Sequence, residues 1–132
     1  MHLRYSTDVE LLTVGACSLA IYHCSMKPIA RSSGRSAVAA AAYRSAECLV
    51  NVRDGVVHDY RAKAGVCYSE IILPEESKAE WALDRSVLWN AAEAAESRKN
   101  ARTADEFEIA LPHELSATAR IDLAQEFAQF LA

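Results

Sequence analysis

Apolar positions along the chain follow two different periods. Between residues 20 and 29 they alternate, with Ile21, His23, Ser25 and Lys27 on one side and Tyr22, Cys24 and Met26 on the other, the pattern of a half-buried strand. Pro28 is expected to end that strand's ladder, because it lacks an N–H. Arg31-Ser32-Ser33-Gly34-Arg35-Ser36 then reads as a polar loop, leading into an alanine-rich helix from about Ser36 to Leu49. Asp54-Gly55 is the strongest turn signal, with short strands expected at 50–52 and 56–60. The cluster Val66, Cys67, Tyr68, Ile71, Ile72 and Leu73 predicts a buried strand over 65–73, stopped by Pro74. Ser77-Lys78-Ala79-Glu80 has capping-box spacing and predicts a long helix to about Arg98, with Trp81, Leu88, Ala91, Ala92 and Ala95 on its apolar face. Residues 104–111 alternate Glu106, Glu108 and Ala110 against Phe107, Ile109 and Leu111, a third strand. Ser116 is placed to cap a last helix with the stripe Ile121, Ala124, Ala128 and Leu131. Residues 1–18 show neither a period nor turn logic.

Composition narrows the class. The chain has 132 residues, 52% of them hydrophobic, enough for one domain with a core. The pattern reads as α+β, an antiparallel sheet with packed helices. The net charge of −4 excludes a uniformly basic nucleic-acid binder. Charge is nevertheless segregated: residues 27–63 hold seven basic and three acidic side chains, and residues 70–108 hold five basic and ten acidic. One face can therefore meet a polyanion. Cys17, Cys24, Cys48 and Cys67 form no CxxC pair, and the expectation is reduced, buried thiols in the cytoplasm. Leu11 to Ile21 is too short to span a membrane and is flanked by Asp8 and Glu10 against a single Arg4, which argues against export.

Few residues carry candidate chemistry. Tyr43 has Ala39, Ala40 and Ala46 as helical neighbours, so a bulky group can approach its phenol. Arg44 follows it, and Arg31 and Arg35 lie near the helix start, where backbone N–H groups also favour anions. A tyrosine so placed can attack phosphorus, but its ordinary pKa of about 10 calls for help from a base or a metal. Pattern alone favours the plainer alternative, a ring packed beside alanines. Glu106 and Glu108 share one strand face and can position a metal or accept a proton. Solvated carboxylates on an exposed face fit the same pattern. His2, His23, His58 and His113 show no metal-ligand spacing, and the Ser-rich loop lacks a P-loop frame. Trp81 and Trp89 read as helix packing rather than base-stacking platforms.

An ordered series of short motifs goes further. Ala20-Ile21-Tyr22-His23, Arg31-Ser32-Ser33-Gly34-Arg35-Ser36-Ala37, Ala41-Ala42-Tyr43-Arg44-Ser45, Val57-His58-Asp59-Tyr60, Ser69-Glu70-Ile71-Ile72-Leu73-Pro74, Leu88-Trp89-Asn90 and Glu106-Phe107-Glu108-Ile109-Ala110-Leu111-Pro112 occur in sequence. With Glu126-Phe127-Ala128 they cover roughly residues 20–132, and together they resemble the MobA/MobL relaxases, including the N-terminal part of Ti-type plasmid TraA proteins. The resemblance implies an HUH-endonuclease-like palm and a single-strand DNA transesterase acting at a plasmid origin of transfer. Tyr43 matches the family's nucleophile. Glu106 matches a glutamate given a part in proton handling or metal support, and Glu108 the acidic position after it. By charge and location, Arg31, Arg35, Arg44 and Lys27 are expected to contact the DNA backbone.

Two departures shape the expectations. Residues 1–18 resemble an upstream extension and are expected to be poorly ordered, leaving 19–132 as the N-terminal portion of a relaxase domain. The family's divalent metal, Mg or Mn, is held by a histidine cluster that in the family follows the helix matching this chain's last one, so none of the four histidines is carried over as a ligand. The chain is therefore expected to be truncated at its C-terminus and to nick poorly by itself. Single-stranded plasmid DNA is the expected partner, with other relaxosome proteins beside it and no membrane. A non-catalytic single-strand binder and a small helical interaction protein remain the alternatives.

Overall fold

The computed structural model describes residues 10–15, 24–112 and 114–132, the first of these by its backbone. Six strands and three helices run in the order β1 (Glu10–Gly15), β2 (Cys24–Ala30), α1 (Ala37–Ser45), β3 (Cys48–Val50), β4 (Val57–Asp59), β5 (Val66–Ile72), α2 (Arg85–Ala94), β6 (Arg102–Ile109) and α3 (Ala117–Leu131). The architecture is α+β, and the strands pair as three antiparallel ladders: β1 with β5, β2 with β6 and β3 with β4. No described helix is long and apolar enough to cross a membrane.

Alanine content makes α1, and its ends are set by two local devices. Ser36 caps the start, its Oγ accepting from the Ala39 N–H at 3.3 Å. The helix stops four residues earlier than its composition predicts. Ala46 turns left-handed at φ 56°, and the Glu47 N–H closes back on the Ala42 carbonyl at 3.0 Å. Leu49, expected on the helix, instead sits buried in β3. The β3–β4 hairpin follows the Asp54-Gly55 signal, with Gly55 at φ 73°. Asn90 of α2 ties it down, accepting from the Val52 N–H and donating to the Val50 carbonyl.

Other elements depart from the pattern for identifiable reasons. Pro28 lies inside β2, opposite Asp105. Its carbonyl accepts from Arg35 Nη1 at 3.3 Å, so that side of the residue faces away from β6 and no ladder bond is lost. The Ser77 capping box does not form. A 3₁₀ turn (Glu80–Leu83) intervenes, and α2 is capped by Asp84, which accepts from the Val87 N–H at 3.0 Å. Trp81 is consequently exposed, while Trp89 is buried. β5 is half-buried rather than fully buried. Cys24, Cys48 and Cys67 are free and exposed, not buried. Within the segment expected to lack order, Glu10–Gly15 forms β1 along the edge of β5. The readings on residues 1–9, 16–23 and 113, His2, Cys17, His23 and His113 among them, lie outside the described residues.

The core is built on small side chains. Val38, Ala41 and Ala42 of α1 pack with Ile29, Leu49, Leu88, Trp89 and Ala104. Alanine lets α1 approach α2 closely, and burial of each larger aliphatic contributes about 1.5–3 kcal/mol. Ala124 and Ala128 are buried, so the stripe of α3 turns inward; Ser116 caps that helix by accepting from the Ala119 N–H at 3.1 Å.

One ionic joint holds the entry to α1. Glu93 is 1% exposed and receives Arg31 Nη2 at 3.0 Å and Arg31 Nε at 3.2 Å on one oxygen. Its other oxygen accepts the Ala37 N–H at 2.7 Å. Arg31, 7% exposed, also donates to the carbonyls of Glu93, Glu96 and Arg98. A buried pair with one partner removed leaves an uncompensated charge. Glu93→Ala is therefore expected to lose about 3–5 kcal/mol in urea denaturation, with little further loss on adding Arg31→Ala; a single-variant loss under about 1 kcal/mol contradicts this. Ala46→Gly is expected to gain about 1 kcal/mol by relieving the left-handed residue, read as a higher urea midpoint at unchanged slope; no gain means the position is unstrained.

Candidate active site

Tyr43 and Arg44 occupy the last turn of α1, and the β2–β6 ladder brings carboxylates toward them. In register, Lys27 stands opposite Glu106 and Ser25 opposite Glu108, so all four share one face of the ladder. Glu106 is 14% exposed at its side chain. Its Oε1 accepts from Arg35 Nη2 at 3.1 Å and its Oε2 from Arg44 Nε at 3.1 Å. Arg44 Nη2 also lies 3.8 Å from Glu108 Oε2. Sequence neighbours at 35 and 44 thus converge on one carboxylate from the two ends of α1.

The electrostatics follow from that clamp. Burial by itself raises the Glu106 carboxyl, but hydrogen bonds and charge from Arg35 and Arg44 outweigh it and hold the group below the usual glutamate range. A carboxylate so stabilised is a poor acceptor for a phenol proton and a good anchor for two guanidiniums. Glu108 is more exposed and shares Arg44.

Tyr43 is 44% exposed, so its ring is not packed away among the alanines. Tyr60 meets it edge-on at 5.2 Å between centroids. Lys63 Nζ stands 3.9 Å from its ring centroid and donates to the Tyr43 carbonyl at 2.9 Å. The Arg44 guanidinium lies 5.6 Å from the same ring. Beside this turn opens a cleft of about 700 Å³, lined among others by Ala40, Arg44, Lys63, Glu106, Phe107 and Phe127.

Of the residues expected at the site, Arg35, Arg44, Glu106 and Glu108 are brought together by ion pairs, Lys27 stands opposite Glu106 in the ladder, and Tyr43 meets the group through the Arg44 guanidinium. Arg31 is not: it is consumed by the Glu93 joint. Tyr60 and Lys63 were not singled out by sequence, because nothing in Asp59-Tyr60-Arg61-Ala62-Lys63 marks a loop that folds back on α1. The backbone shows it, with the Tyr60 N–H donating to the Glu47 carbonyl and the Lys63 N–H to that of Tyr60.

The divalent cation implied by the resemblance does not fit the described residues. They contain no group of three or more His, Cys, Asp or Glu able to hold a metal. Both oxygens of Glu106 are already taken by arginines.

Comparison with known proteins fixes the relationship. The MobA/MobL family model matches residues 35–132, and the chain belongs to that family. It is 49% identical over 114 residues to the mobilization protein MobL of Acidithiobacillus ferridurans, covering 86% of this chain and 29% of that protein. It is 40% identical over 121 residues to a probable conjugal transfer protein TraA of Sinorhizobium fredii, covering 84% of this chain and 11% of that one. The chain thus spans less than a third of these relatives. A solved structure described as "Molecular Basis of Vancomycin Resistance Transfer in Staphylococcus aureus" matches with a TM-score of 0.80 and 38% identity, covering 85% of this chain and 57% of that one.

A lowered carboxyl pKa contributes stability that is complete above the unfolded value near 4.3 and disappears as pH falls through the folded value. Glu106→Gln is expected to cost about 1 kcal/mol at pH 7, modest because both guanidiniums are about a third exposed, and progressively less as pH falls below the usual glutamate range. Urea midpoints across that range check it; a pH-independent cost contradicts the clamp.

Proposed function

We propose that this chain is the nucleophile-bearing part of a conjugative mobilisation protein, one that binds a single strand of plasmid DNA at the origin of transfer and joins it to Tyr43. The observation that carries the reading is the exposed Tyr43 phenol beside Arg44, a residue that also lines the cleft, in a chain of the MobA/MobL family.

The reaction is a transesterification. The Tyr43 oxygen attacks phosphorus, the bond from phosphorus to the 3′ oxygen breaks, and that oxygen leaves with a proton. Tyr43 then carries the 5′ phosphate. One phosphodiester replaces another, so the strand can later be rejoined by the reverse step. Arg35 and Arg44, fixed in plane by Glu106, border the path of the backbone, and Lys27 extends the basic edge. Because Glu106 and Glu108 are engaged by arginine, the proton passes to water or to a group outside the described residues. Other transfer proteins are partners of the assembled complex.

A second reading, strand capture without cleavage, draws support from the same engaged carboxylates and from the lack of a metal-holding group among the described residues. The helical-interaction reading loses its main support, since Ala124 and Ala128 of the α3 stripe are buried.

The test uses tiled single strands from the replicon that encodes the chain, each with sulfur at its 3′ bridging positions so that the leaving group needs no acid or metal. Wild type is expected to bind in low salt, weakening as salt rises, and to yield a 5′-phosphotyrosine on the Tyr43 peptide by mass spectrometry. Tyr43→Phe keeps binding within about two-fold and gives no adduct. An equal adduct in Tyr43→Phe contradicts the nucleophile, and binding without any adduct favours capture alone.

A further inference from the structure

We infer that Lys63 is the residue that grips the scissile phosphate beside Tyr43, and that Arg35 and Arg44 serve mainly to hold the site's shape. The inference rests on the DNA-processing reading above and assigns its electrostatics to a different side chain.

The reason is charge balance. Arg35 and Arg44 bring two positive charges to the site, and Glu106 and Glu108 bring two negative ones within ion-pair distance of them. That quartet is neutral, so little of the arginines' charge is left for a polyanion. Lys63 is different. Among the described residues no carboxylate lies within ion-pair distance of it, although Arg61, two residues earlier, is paired to Asp59 at 2.6 Å. Its Nζ is held at the Tyr43 ring face and on the Tyr43 carbonyl, at the rim of the cleft.

The groups facing Lys63 are Tyr43 and Arg44 from α1, Tyr60 from its own loop, and Glu106 and Glu108 of β6 on the shared cleft, both engaged by arginine. Burial, and secondly the charge of Arg44, lowers its pKa from the usual lysine value. An unpaired, partly desolvated cation next to another cation is an unfavourable arrangement that an arriving phosphate relieves. Binding of the anion raises the lysine pKa again. Linkage then requires affinity that is full below the free-state value and weakens as pH rises through it.

The experiment measures fluorescence anisotropy with the tightest-binding strand of the tiled set. Lys63→Met is expected to weaken binding about five- to ten-fold at 0.1 M salt and to flatten the salt slope by about 0.7, the share of one phosphate contact. Lys63→Arg is expected to restore affinity to within about two-fold and to remove the alkaline weakening that wild type shows, because arginine keeps its charge. Arg61→Met, an exposed control, is expected to bind like wild type. Wild-type affinity in Lys63→Met, or an unchanged alkaline profile in Lys63→Arg, overturns the inference while the DNA-processing reading stands. Wild type failing to bind any strand at low salt overturns both.

Discussion

The position of α1 depends on the buried carboxylate of Glu93. It receives the first helical N–H of α1, at Ala37, and the guanidinium of Arg31 from the turn after β2. Arg31 in turn closes the carbonyls at the end of α2 and beyond it. One side chain of α2 therefore fixes where α1 begins, and α1 is the helix that presents Tyr43. Because α1 packs through Val38, Ala41 and Ala42, it has no long side chains with which to adjust its depth against the core. The polar joint sets its entry and the alanines set its distance.

At the other end of α1 the same logic runs outward. Arg44 and Arg35 meet on Glu106, whose ladder position on β6 is locked by pairing with β2. The tyrosine between these groups and the Tyr60–Lys63 loop is held on its edge and on its face, while its surface stays open to solvent. Chemistry at a phosphodiester gains most from such prior placement, since attack needs a near-linear approach and fixed donors rather than a new covalent machinery. The arginine–glutamate quartet is neutral, and Lys63, with no carboxylate within ion-pair distance among the described residues, stands on the tyrosine.

Much of this was readable in the sequence. Ser116 caps the helix it was expected to cap, β6 forms where a strand was expected although its burial does not alternate, Glu106 being less exposed than Phe107, and Ala124 and Ala128 of the α3 stripe face inward. Tyr43, Glu106 and Arg44 were visible as candidates because the motif order marks them. The stop of α1 at Ala46 was not readable: the αL position is filled by alanine, so no glycine announces it. Ser77 matched a cap, but Asp84 starts α2 because a 3₁₀ turn absorbs the intervening residues. Charge alone made Arg31 look like Arg35 and Arg44, although tertiary packing buries it against Glu93. Lys63 carried no signal, since only the fold returns its loop to the tyrosine.

The most direct test of the account is a crystal structure of the chain with a bound single-stranded oligonucleotide. The account predicts a backbone phosphorus within about 3.5 Å of the Tyr43 hydroxyl oxygen, its non-bridging oxygen on Lys63 Nζ, and the Arg35–Glu106–Arg44 clamp intact. A strand bound on another face, with the tyrosine hydroxyl far from every phosphate, would contradict it.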